Sequence, residues 1–95
     1  MNNIVIHKYD LVIGRNQLAL PVGSRILDIH EQYALPRVWV EKPVTSKDMT
    51  AVAITLYATG EVIEPKDHTF ISTVHLAGGS LVYHAYMEVI ENANT

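Results

Sequence analysis

The stretch Thr69-Phe70-Ile71-Ser72-Thr73-Val74-His75-Leu76-Ala77-Gly78-Gly79-Ser80-Leu81-Val82-Tyr83-His84-Ala85-Tyr86-Met87 decides the fold. Two runs rich in β-branched and aromatic residues flank a Gly-Gly pair. Glycine takes positive φ without steric cost, so the pattern predicts a β-hairpin with Gly78-Gly79 as a two-residue turn. Ala77 then faces Ser80, Leu76 faces Leu81, and His75 faces Val82. Alternation along each strand puts Phe70, Val74, Leu76, Leu81, Tyr83, Ala85 and Met87 on a core face. The other face carries Ile71, Thr73, His75, Val82, His84 and Tyr86, with His75 and His84 as diagonal neighbours about 7–8 Å apart at the backbone. No formal charge lies between Thr69 and Met87. An aromatic, histidine-bearing face without charge reads as a surface that another molecule covers.

Working outward, the same strand vocabulary recurs. Ile4 to Tyr9 is a short β-branched run. Gly14-Arg15-Asn16 reads as a turn, Leu18-Ala19-Leu20 as a short extended piece, and Pro21 to Ser24 as the next turn. Arg25 to Gln32 is a strand, and Ala34-Leu35-Pro36 breaks it. In Arg37-Val38-Trp39-Val40-Glu41 the valines share one face and Arg37, Trp39 and Glu41 the other, and Pro43 ends the run. Met49 to Thr59 has a serine cap before it and Gly60 after it, as a helix would, but Thr50, Val52, Ile54 and Thr55 favour a strand. Gly60 to His68 is a loop. Regular short strands with few helical signals predict a mainly β fold: a small antiparallel sandwich or partly open barrel of about six or seven strands closed by the C-terminal hairpin. Residues 1–90 form the single domain and 91–95 a flexible polar tail.

Composition narrows the function. Charged residues are 18% of the 95-residue chain and hydrophobic residues 48%. The usual charged share is about 25%, so little surface is fitted to face water, and a homo-oligomer is the plain remedy. The net charge is −3, with seven scattered Lys and Arg, which argues against a nucleic-acid-coating surface. There is no cysteine, hence no disulfide and no thiolate metal site. No signal peptide is expected at Met1-Asn2-Asn3. No membrane span is expected either, because His75, Gly78, Gly79 and His84 interrupt the longest charge-free stretch.

The chemistry-bearing residues form no catalytic motif. Histidines at 7, 30, 68, 75 and 84 lack the local spacing of a zinc site, and no metal or other cofactor is expected. Ser72 and His75 point to opposite strand faces, so no serine nucleophile is set up. Asp28 and His30 share a face, as many exposed strand residues do. Gly78-Gly79 lacks the lysine and helix start of a phosphate loop. Arg37 beside Trp39 can hold a planar anion through charge-assisted bonds and stacking, although a strand-edge arginine next to a core-lining tryptophan explains the pair as well.

Several pieces taken together resemble a family of small uncharacterised proteins of tailed phages. They are His7-Lys8-Tyr9-Asp10-Leu11, Gln17 to Leu27, Pro36-Arg37-Val38-Trp39, Ala58-Thr59-Gly60 and Ser72 to Tyr86. The resemblance covers about Ile6 to Tyr86. It implies a phage accessory protein acting in the host cytoplasm, and brings no catalytic motif with it.

Three functions follow as expectations. The first is a non-enzymatic binding module that inhibits a host defence, by covering a host protein or by sequestering a small signalling nucleotide. Arg37, Trp39, His75, His84 and Tyr86 are its candidate ligand- or interface-binding residues. The second is a structural or assembly accessory of the phage. The third is a small phosphodiesterase-like enzyme using His75 and His84 as acid and base.

Overall fold

The computed structural model of the chain describes residues 3–92. Seven strands follow one another: β1 (Ile4–Asp10), β2 (Gly14–Pro21), β3 (Arg25–Gln32), β4 (Leu35–Pro43), β5 (Met49–Ala58), β6 (Thr69–Leu76) and β7 (Leu81–Asn92). They form two antiparallel sheets, one of three strands in the order β1-β4-β3 and one of four in the order β2-β5-β7-β6. The sheets face each other without closing into a barrel, so the sandwich alternative is the observed one. Among the described residues no helix is long and apolar enough to cross a membrane.

The core is the inward half of each alternation. Val38 and Val40 of β4 and Ile29 of β3 meet Val52, Ile54 and Leu56 of β5, Val74 and Leu76 of β6, and Ala85 of β7, all buried. The ambiguous segment from Met49 is a strand because its β-branched residues fill this interior from the middle of the larger sheet.

The hairpin forms as its sequence predicts. Leu76 pairs with Leu81 and His75 with Val82. Gly78 and Gly79 both have positive φ, 68° and 94°, and the Ser80 N–H donates to the Ala77 carbonyl at 3.3 Å. The ladder ends at Leu76–Leu81, so the connection is the four residues Ala77–Ser80 rather than the expected two-residue turn. Ala77 is drawn into the left-handed region as well, at φ 52°.

Five further expectations need correction. A β-bulge between Phe70 and Ser72 turns Ile71 towards the core, while Phe70 stands half-exposed on the outer face against Tyr86. Strict alternation assigned both residues the other way. Leu81, placed on the core face, lies beyond the covered part of the sheet and is 49% exposed. Gly14-Arg15-Asn16 is the start of β2 rather than a turn, with Asn16 opposite Ile54. The break at Ala34-Leu35-Pro36 sits earlier: Tyr33 and Ala34 take the turn at φ 53° and 69°, and Pro36 is already the second residue of β4. There a missing N–H costs the ladder little. β7 also takes in Glu91 and Asn92 of the expected tail, and residues 93–95 lie outside the described residues.

Candidate binding surfaces

The outer face of the four-stranded sheet gathers Tyr57, Phe70 and Tyr86, three of the seven Phe, Trp and Tyr residues. After β5 the chain does not climb away. The segment 60–68 runs back across this face before β6 begins at Thr69, opposite Met87 on β7. That path brings His68 onto Tyr86, ring centroids 4.5 Å apart. Tyr57 of β5 meets Tyr86 edge-on at 5.8 Å, and Phe70 does so at 5.5 Å from the other side. Edge-to-face and tilted pairs at these separations suit the ring quadrupoles. Below them Glu88 lies 3.4 Å from Lys66 and 4.0 Å from Arg15.

His84 is held by two threonines. Thr59 Oγ1 lies 2.8 Å from its Nε2, and Thr73 Oγ1 lies 3.2 Å from its Nδ1. Thr59 Oγ1 also reaches the Val82 carbonyl at 3.4 Å. All three contacts are satisfied when Thr59 donates to that carbonyl, accepts from Nε2–H, and Thr73 donates to Nδ1. The two threonines therefore fix the orientation of the His84 ring. His75 is its diagonal neighbour, as the register predicts, and stands exposed.

Arg37 and Trp39 lie on the opposite side of the molecule, on the outer face of the three-stranded sheet. Their local surroundings are filled. Trp39 stacks on His30 with centroids 4.2 Å apart and planes 10° from parallel, and His30 Nδ1 lies 2.8 Å from Asp28 Oδ2. Arg37 donates to Asp10 Oδ1 at 2.7 Å and to the Gln32 carbonyl at 3.1 Å, leaving its side chain 14% exposed. The five residues singled out in the sequence thus divide between two opposite faces: Arg37 with Trp39, and His75 with His84 and Tyr86. One subunit does not bring them together.

Sequence reading missed His68, Tyr57 and His30. His68 sits in a loop, where no periodicity tells which way a side chain points. Tyr57 was visible only as part of an apolar strand, since its partner strand was not known. His30 stacks on Trp39 because a bulge between Ile26 and Asp28 shifts the β3 register, and bulges leave little trace in a single sequence.

The chain belongs to the DUF7352 family. The family model, a domain of unknown function, matches residues 2–95. The expected membership of an uncharacterised family is met to that extent. No curated protein and no solved structure matches the chain.

Two further features of this DUF7352 chain are apolar. Where the sheets part at the β2–β3 end, a cleft of about 220 Å³ is lined chiefly by Leu20, Val22, Ile26, Val52, Met87 and Val89. Among the described residues, fifteen large hydrophobic side chains are exposed while twelve hydrophobic residues are buried. No group of three or more potential metal-ligating side chains occurs among the described residues.

Proposed function

We propose that this protein is a phage-encoded accessory that works by binding protein surfaces, its own copies included, rather than by catalysis. The observation that carries this reading is the number of large apolar side chains left in water. Scattered exposed hydrophobics are ordinary, but a chain with more of them outside than in its core has surface suited to a partner. The resemblance of His7 to Leu11, Gln17 to Leu27 and Ser72 to Tyr86 to tailed-phage proteins supports the phage origin. A host defence protein is the partner class such an accessory would cover in the host cytoplasm.

Protein is a better fit than a signalling nucleotide. A planar anion would have to displace His30 from Trp39 and compete with Asp10 for Arg37. An acid–base role for His84 would require it to release both threonines. The test is a photo-crosslinking residue at Phe70 or Leu81 in protein expressed in the host, with heat release of bound small molecules in parallel. Covalent protein–protein products without a released nucleotide are expected. Stoichiometric release of a nucleotide with no crosslinked product would overturn the reading.

A further inference from the structure

We propose that copies of this chain join head to tail, the Tyr33 ring at the tip of the β3–β4 turn entering the apolar cleft at the β2–β3 end of the next copy. The inference rests on the reading of the protein as an associating module and says which parts of the surface meet.

The turn is built against backbone preference. The ladder closes at Gln32 and Leu35, so Tyr33 and Ala34 make the whole connection. A two-residue turn of this kind needs positive φ at both central residues, and Asn-Gly supplies it with least strain. Here Tyr33 and Ala34 take it at 53° and 69°, a region in which the Cβ of each is crowded. Such strain persists only where the surroundings impose it, and it gathers at functional positions. Tyr33 is 83% exposed, so contacts within the chain do not offset it. The base of the turn is firm. Gln32 accepts from Lys8 Nζ at 2.7 Å through its side chain and from Arg37 Nε at 3.1 Å through its carbonyl, and the Leu11 N–H donates to the Pro36 carbonyl at 2.9 Å. A braced turn that holds an aromatic ring in water is pre-organised to deliver it, and tyrosine is among the residues that most often anchor interfaces.

The cleft lies at the other end of β3 and has the matching character. None of its lining residues is charged, and Val22 and Val89 among them are 44% and 57% exposed. Pockets for drug-sized ligands run from about 300 to 1,000 Å³, whereas a dry cavity of about 150 Å³ takes benzene. At about 220 Å³ the cleft suits a single phenol ring. Leu35, beside the tip, is 44% exposed and also uncharged, so apolar surface meets apolar surface around the ring. Ring and cleft stand at opposite ends of β3. The contact is therefore heterologous, and it repeats in an open series instead of closing as a two-fold dimer.

The test is sedimentation velocity of the full chain and two variants, with circular dichroism and urea denaturation on each. The unmodified protein is expected to give a series of species that lengthens with concentration. Tyr33→Asn combined with Ala34→Gly installs the favoured turn pair. Its urea midpoint is expected to hold or rise, while self-association falls roughly tenfold or more. Val89→Lys puts a charge at the cleft and is expected to weaken self-association to a similar extent. Mixed, the two variants have one intact tyrosine and one intact cleft between them, and a heterodimer that grows no further is expected. A urea midpoint that falls in the turn variant, or self-association indifferent to both variants, overturns the head-to-tail contact while leaving the associating module intact. An unmodified protein that stays monomeric throughout, yet crosslinks to a host protein, also overturns this contact and spares the broader reading.

Discussion

Backbone conformation carries much of the fold at the level of single residues. Gly79 has φ 94° and open space where a Cβ would stand. Gly79→Ala therefore isolates the cost of left-handed backbone from that of crowding. A loss of about 1–2 kcal/mol is expected from urea denaturation, with the fold retained. Ile54 makes the opposite case, since its side chain is fully buried between the sheets. Ile54→Ala leaves a cavity and is expected to cost about 2–5 kcal/mol by the same measurement. His68 lies between these extremes. Removing its ring from Tyr86 forfeits one aromatic pair, so His68→Ala should cost about 0.5–1.5 kcal/mol and raise the exposure of Tyr86 to chemical modification.

At the level of strands, alternation and turn chemistry made most of the fold legible. Val38 and Val40 point inward, the Met49 segment is a strand, and the Gly-Gly hairpin closes in the expected register. Illegible features were those that break a period. The turn at Tyr33-Ala34 uses two residues that seldom mark one, and the bulge at Ile71 exchanges the faces of Phe70 and Ile71. The candidate surface was legible only by halves. The uncharged outer face of the hairpin was readable, but its cover was not, because the segment 60–68 folds over it without a pattern. Part of the concealment first assigned to another molecule thus comes from the same chain, through His68 on Tyr86. The two edges that close on each other offer a further check. Ser72→Ala removes the hydroxyl that ties β6 to β3, and a loss of about 1 kcal/mol is expected with faster amide exchange along β3.

For the whole molecule the decisive balance is between core and surface. A 95-residue sandwich has room for a modest interior, and this one fills it with aliphatic side chains. The remaining apolar side chains include Ile4 and Ile6 on β1, Val12 after it, and Phe70 and Leu81 on the hairpin. The polar groups have largely found partners within the chain: Arg37 with Asp10, His30 with Asp28, His84 with two threonines. Chemistry directed at a small ligand needs unsatisfied polar groups converging on a cleft, whereas association needs apolar area, and the second is what the surface supplies. Sedimentation equilibrium of the unmodified protein over a wide concentration range tests this most directly. A mass that rises with concentration above that of one chain is predicted. A mass fixed at that of one chain up to the highest concentration would contradict it.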